Sequence, residues 1–395
     1  MEENKLLKIY IGPNGYGKSY KIDQDIKSLY EKDKNRRDII KLESEIVFAD
    51  EMKDTVNTSF VMEYLIEELL ENDEIVKARK AYENALDETI MDNQNQYNIL
   101  MDKILKINNQ IRTKDVIKPT TSKEYKKIVK IDASDLKGKM GSGQKLQFIL
   151  ELIQKSNKKY IFLDEPENHT HPSLLHRTAE LINELSKKRR VCLATHSIEL
   201  LNMLDIDFDN LYIFNDSDTY IPKKIDFDQA IQLNKDIHIE NMPKKSKTYY
   251  DKEQLIRNIL ELHKKEFMET LFSNKVYLVE GINDEVFLKK LLLSKGMLYE
   301  QYSIFHCYGK HQFIPFLSIF NNLNIKTCAI FDEDNTMDQN NVAINLQIMQ
   351  YGTYLKFDNF LEHDIGYTGN KGDAIELINY LETFDRFEEY FNKIK

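Results

Sequence analysis

One stretch near the start limits the fold more than any other. Gly12-Pro13-Asn14-Gly15-Tyr16-Gly17-Lys18-Ser19 fits the pattern G-x-x-x-x-G-K-[ST]. It follows the apolar run Leu6-Leu7-Lys8-Ile9-Tyr10-Ile11 and precedes helix-compatible residues. A loop of this kind sits between a strand and a helix. Its glycines let backbone N–H groups turn towards phosphates, and the next helix presents its positive end to them. Lys18 is placed to reach β- and γ-phosphates, and Ser19 to ligate Mg²⁺. Gly12, Asn14, Gly15, Gly17, Lys18 and Ser19 are therefore the candidate nucleotide-binding residues.

The rest of the chain supports an α/β reading. Short β-like runs occur at 6–11, 46–49, 160–163, 191–194 and 211–214, with helical patterns between most of them. That alternation is the signature of a largely parallel sheet. No glycine stands between Gly17 and Gly138, and 59–111 is rich in Glu, Leu, Lys, Ile and Ala. Val61, Leu65 and Leu69 repeat at spacing four. An inserted helical arm is expected over about 59–130, either an antiparallel helix pair or an ordinary helical subdomain. The segment 241–246 is polar and basic, and a helical stretch from about 251 to 271 follows. Strands and helices then resume, with β-like runs at 276–279, 303–307, 327–331 and 353–357. The 395 residues suit two domains, or three. The expected bounds are 1–245, a helical linker over 246–270, and 271–395.

Composition excludes several classes. Hydrophobic residues make up 42% and aromatics 11%, enough for sizeable cores and against a disordered chain. The net charge of −10 argues against indiscriminate polyanion binding, while leaving room for a local basic groove. No apolar run reaches the ~20 residues of a membrane helix, and the first residues lack a signal-peptide pattern. Cys192, Cys307 and Cys328 form no CxxC pair and no zinc spacing. A cytoplasmic protein with no membrane partner is expected.

Three further motifs fall in the first half. In Lys159-Tyr-Ile-Phe-Leu-Asp164-Glu165-Pro166-Glu167 an apolar strand ends in adjacent carboxylates. Asp164 is the candidate metal anchor, directly or through water, and Glu165 the candidate general base for an attacking water. In Val191-Cys-Leu-Ala-Thr195-His196-Ser197 the next strand ends at a histidine within reach of a γ-phosphate. Met140-Gly141-Ser142-Gly143-Gln144 precedes a helix-like run; alone it is a weak Ser/Gly cap.

In order and spacing these motifs resemble those of ABC-type ATPases. More narrowly, LDEPENHTHPSLL and ATHS resemble the ATPase domain of the overcoming-lysogenization-defect (OLD) family, a type of ATPase also found in Gabija and PARIS phage-defence proteins. The resemblance implies a P-loop ATPase domain of ABC type with a helical insertion, followed by a smaller Rossmann-like domain. It also implies that Ser142, Gly143 and Gln144 close over ATP held by another subunit, hence at least a homodimer. Asp50 and Glu51 stand where that family carries its Q-loop glutamine, and no such glutamine is identified. His171 falls in a loop where the family often has a His-Pro pair, and a structural or inter-subunit role is expected for it.

The last third carries a different constellation. Val276-Tyr-Leu-Val-Glu280-Gly281-Ile-Asn-Asp284 is a β-like run ending at a glutamate, then a glycine turn and a helix. Thr327-Cys-Ala-Ile-Phe-Asp332-Glu333-Asp334 ends in D-x-D. In extended chain, residues two apart project from one face, so Asp332 and Asp334 are expected to aim at one cation. Glu280 completes a hard-oxygen set suited to Mg²⁺ or Mn²⁺. Two such ions can activate water and stabilise a phosphodiester's leaving oxygen. Alone, Glu280 could instead cap the next helix, and D-x-D is common in acidic turns.

This order resembles the TOPRIM domain of OLD-type nucleases. By that resemblance Glu280, Asp332 and Asp334 are catalytic metal ligands, Asp284 serves a second metal, and Glu362 in Phe360-Leu-Glu-His-Asp364 is the late acid. Lys371 is placed to contact a phosphate or steady the leaving group. Gly309-Lys310 fits the intervening strand-turn-helix. The implied function is an ATP-regulated, metal-dependent nuclease acting on DNA or RNA in phage defence. The alternative is an ATPase sensor or scaffold with an inactive TOPRIM-like domain, working with a separate defence protein. A DNA-repair or chromosome-organising ATPase ranks last, because the arm is short for one.

Overall fold

The computed structural model describes residues 6–32, 38–43, 65, 141–168, 170–216, 219–233, 251–297, 302–307, 309–334, 339–369 and 373–394. The arm expected over 59–130, apart from Leu65, lies outside them. So do the run at 46–49, Asp50, Glu51, the segment 241–246 and Lys371. The chain divides into two compact units, Met1–Tyr212 and Ile213–Lys395.

The first unit is built on a five-stranded sheet. Its elements are β1 (Leu7–Ile11), α1 (Lys18–Lys32), β2 (Ile39–Glu43), α2 (Ser142–Lys155), β3 (Tyr160–Asp164), α3 (Pro172–Ser186), β4 (Arg190–Thr195), α4 (Ile198–Met203) and β5 (Leu211–Ile213). The strand order is β2-β3-β4-β1-β5. The pairs β1–β4, β2–β3 and β3–β4 are all parallel. Leu7, Ile9, Tyr10, Ile11, Ile161, Leu163, Val191, Leu193 and Ala194 are buried, so the central strands are apolar on both faces. That is what helices on both sides of a parallel sheet require. Register then decides where the chemistry sits. Ile11 pairs with Thr195, Asp164 with Ala194, and Glu43 with Asp164. The carboxyl ends of four strands are therefore flush, and the loops leaving them share one edge of the sheet.

β2 was not expected. Ile39-Ile40-Lys41-Leu42-Glu43 alternates in burial, with Ile40 and Leu42 inside, which is the pattern of a half-buried strand.

The second unit follows the same logic with different residues. It comprises α5 (Lys252–Leu262), α6 (Lys264–Thr270), β6 (Lys275–Val279), α7 (Ile282–Ser294), β7 (Tyr302–His306), α8 (Phe313–Asn322), β8 (Lys326–Asp332), α9 (Gln339–Gln350), β9 (Thr353–Phe357), α10 (Leu361–Ile365), α11 (Ala374–Leu381) and α12 (Phe387–Ile394). The single helix expected over 251–271 is two helices, interrupted where His263 leaves helical geometry at φ −128°. Its four strands run in the order β7-β6-β8-β9, all parallel. Alternate residues of each strand serve opposite faces. Tyr277, Val279, Cys328, Ile330, Leu355 and Phe357 join Phe287, Leu291 and Leu377 in one core. Phe305 belongs to a second, aromatic core with Phe267, Phe316 and Phe320.

Candidate functional site

The phosphate loop leaves β1 at Gly12 and enters α1 at Lys18. Gly12, Gly15 and Gly17 have φ of +146°, +83° and +94°, a region that L side chains rarely adopt. Lys18 is 4% exposed. Its Nζ donates to the carbonyls of Gly12 (2.7 Å) and Pro13 (3.1 Å) and lies 3.2 Å from Glu165 Oε1. Ser19 Oγ donates to Asp164 Oδ1 at 3.0 Å. Burial raises the Asp164 carboxyl above the ordinary aspartate value, against the pull of the Ser19 hydrogen bond.

Glu165 sits at φ +50° just past the end of β3, its N–H held by the Ala194 carbonyl at 2.8 Å. His196 Nδ1 comes within 2.6 Å of Glu165 Oε2 and 3.4 Å of Glu167 Oε1. These approaches lack hydrogen-bond alignment. Glu167 accepts from Thr195 Oγ1 (2.5 Å) and from the His196 N–H (3.0 Å). It ties the loop after β4 to the loop after β3. Burial pushes its carboxyl upward, opposed first by the Thr195 hydroxyl. Glu165, Glu167 and His196 each bring a ligand atom within 4.8 Å of the others. Glu167 was missed in the sequence; its signal was its place two residues beyond Glu165.

Ser142 opens α2, and its side chain lies outside the described residues. The Gly141 N–H donates to Gln144 Oε1 at 3.1 Å, one half of a helix cap, since glycine has no side chain to return the bond. A Cβ on Gly143 would meet Leu174 Cδ1 at 3.0 Å and Thr170 Cγ2 at 3.3 Å. Close packing within the chain thus accounts for this glycine. His171 caps α3, its ring nitrogen accepting from Ser173 N at 3.3 Å.

The second unit gathers its acids at the carboxyl ends of β6 and β8. Glu280 follows β6. Asp284, in the first turn of α7, accepts the Gly281 N–H at 2.9 Å. Asp332 ends β8 and accepts the Leu361 N–H at 2.9 Å, so α10 is hung from the same carboxylate. Glu362, on α10, accepts from Asn283 Nδ2 at 2.7 Å. Glu280, Asp284, Asp332 and Glu362 feel one another's charge. Burial raises Glu280; burial and then Asp332 raise Asp284 well above the usual range. Burial and then Glu280 push Asp332 up to about 7.

Asp334 lies beyond the strand, and its charge acts on Asp332 and Glu280. Extended backbone stops at Asp332, and Asp334 has φ +58°. Its carboxylate accepts from Lys310 Nζ at 2.5 Å. The same ammonium donates to the Asp332 carbonyl. Lys310 is 4% exposed, and its role was not foreseen.

The residues present fit the groups that the motifs imply. Glu280 Oε2 is buried and has no hydrogen-bond partner among the described residues. A buried carboxylate oxygen left without a hydrogen bond in a largely acidic cluster is an acceptor suited to a hard cation. In the first unit, the positive-φ glycines, Lys18 and the Ser19–Asp164 pair meet the demands of a nucleoside triphosphate with a divalent metal ion.

Comparison with known proteins agrees with this division. Residues 271–334 match the family described as "Overcoming lysogenization defect protein-like, TOPRIM domain". A curated relative, "Endonuclease GajA" of Bacillus cereus (strain HuB5-5), is 27% identical over 190 residues, covering 45% of this chain and 26% of that protein. The match thus spans about a quarter of that relative's length. Residues 3–202, half of the chain, match "AAA domain, putative AbiEii toxin, Type IV TA system". The chain belongs to this AAA family and, with an OLD-like TOPRIM domain after its ATPase domain, is an OLD-family ATPase–TOPRIM fusion.

Proposed function

We propose that the chain binds and hydrolyses ATP and is a metal-dependent endonuclease of OLD type, working in phage defence in the cytoplasm. Its functional division is 1–245 for the ATPase with an arm at about 59–130, 246–270 as linker, and 271–395 for the nuclease. The observation that carries the nuclease reading is the buried acidic group of Glu280, Asp284, Asp332 and Glu362 with its orphan oxygen. Four neighbouring acids against the one ammonium of Lys310 favour binding of a further cation.

At the first site, Lys18 and the loop amides bind and orient the phosphates. Ser19 and Asp164 would hold Mg²⁺. Glu165, aimed by its backbone and flanked by His196, takes the proton of the attacking water. His196, steadied by Glu167, is placed to report the γ-phosphate to its own loop. Ser142, Gly143 and Gln144 act on ATP bound by another copy, so the protein works as at least a homodimer. At the second site, Glu280, Asp284, Asp332, Asp334 and Glu362 would hold Mg²⁺ or Mn²⁺, and Lys371 meets a phosphate of DNA or RNA. The bound ions would supply an activated water and stabilise the leaving oxygen. ATP acts as a ligand that shifts the assembly between closed and open states, since phosphodiester cleavage is already favourable in water.

The test is plasmid cleavage with Mg²⁺ or Mn²⁺, with and without ATP, for the wild type and for Glu280→Ala and Asp332→Ala. Cleavage by the wild type, lost in both variants, is the expected result. No cleavage under any condition, with ATP hydrolysis intact, selects a sensor that regulates a separate effector.

A further inference from the structure

Lys310 is unusual in its setting. It is a lysine at 4% exposure placed inside a cluster of acids. Taking an ammonium out of water costs several kcal/mol unless it is paired and hydrogen-bonded. Here both conditions are met by groups of the acidic site. Nζ donates to Asp334 Oδ2 at 2.5 Å and to the carbonyl of Asp332, and its charge also acts on Glu280. The ring of Phe331 lies 5.8 Å away. The side chain is delivered by the turn at Gly309, whose φ of +120° suits glycine, into the 3-10 turn Lys310–Gln312.

We infer that Lys310 is a tethered counter-ion of the acidic site, holding Asp334 in place and exchanging that partner for a divalent ion when one binds. The inference rests on the metal-site reading above. Asp334 cannot give the same oxygen fully to an ammonium and to a metal ion at once. Asp334 has left-handed backbone, and its carboxylate is engaged by Lys310. An arriving ion adds positive charge beside Lys310, which weakens the ammonium's hold and frees Asp334 to serve the ion. The ammonium keeps its protons throughout; only ion partners change. Lys310 is thus a positioning residue. It limits repulsion in the metal-free protein and sets the threshold for metal binding.

Calorimetric titration of Mn²⁺ into the full chain tests this, counting only the heat that Glu280→Ala removes. Lys310→Met should bind Mn²⁺ about three-fold or more tighter than wild type, because no cation must be displaced. Its metal-free Tm should be lower, because the acids have lost their neutralising partner. Lys310→Arg keeps the charge and should stay within about two-fold of wild-type affinity. Lys310→Gln keeps a donor, removes the charge and should tighten binding like Met; it decides the matter if the Met variant does not fold. Equal or weaker affinity in a folded neutral variant overturns the inference. Absence of any Glu280-dependent heat in the wild type overturns the metal site itself.

Discussion

Ser19 Oγ meets Asp164 Oδ1 at 3.0 Å, although the two residues stand 145 positions apart. The contact follows from parallel register, which puts the ends of β1 and β3 on one edge with β4 between them. Everything the first site does depends on that alignment.

Lys18 links the loop carbonyls of Gly12 and Pro13 to Glu165. Lys18→Ala should therefore abolish ATP binding, read with a fluorescent nucleotide, while the second unit stays folded. Unchanged nucleotide affinity would contradict the assignment.

Glu165→Gln keeps the shape of the side chain and removes its basicity. ATP turnover should drop by about 100-fold or more, with binding retained. If ATP closes two copies together, sizing chromatography with ATP should show a larger species for this variant. Identical mass with and without nucleotide would count against the sandwich.

Asp332 carries a pH signature. Burial and then Glu280 raise its carboxyl to about 7. In the unfolded chain it returns to about 3.9. Between those values the folded, metal-free protein holds more protons than the unfolded one. Stability should therefore fall as pH rises from about 4 to about 7 and level off above. A divalent cation takes the place of that proton, so the gain in Tm on adding Mn²⁺ should grow over the same interval. Thermal unfolding across this range, with and without Mn²⁺, checks both slopes, and Asp332→Asn should flatten them.

Gly143 packs against Leu174 and Thr170. Gly143→Val should cost about 1–3 kcal/mol by overpacking, seen as a lower midpoint in urea. A neutral result would mean that α2 and α3 yield easily.

Phe287 is fully buried between Phe357 (centroids 5.7 Å apart) and Tyr390 (5.3 Å). Phe287→Ala should cost about 3–5 kcal/mol. It should also weaken any metal binding by loosening α7, which carries Asp284; calorimetry of the folded fraction tests that link.

Much of this was legible in the chain itself. Gly12–Ser19 specified a strand, a loop and a helix because only that arrangement uses those residues. The runs ending at Asp164, Thr195, Glu280 and Asp332 were readable because buried parallel strands are continuously apolar. β2 escaped, since Lys41 and Glu43 interrupt it and its neighbour at 46–49 is more apolar. Lys310 escaped for a different reason. A lysine after a glycine reads as solvated, and only tertiary structure shows that it turns inward to Asp334. Likewise D-x-D suggested extended backbone through Asp334, but the strand ends at Asp332 and Asp334 has a positive φ. Local pattern reveals which residues lie at a strand end; it does not reveal how the backbone leaves it.

The pairing of β1 with β4, from Leu7–Val191 to Ile11–Thr195, has a consequence for biogenesis. During synthesis β1 must wait for a mate made nearly two hundred residues later. Until then its amides and carbonyls have no ladder to join, and the half-made polypeptide carries an open edge that invites aggregation. Loop closure over that distance makes folding slow. A nascent chain halted before β4 should therefore be protease-sensitive at the phosphate loop, and release of the remaining strands should restore protection.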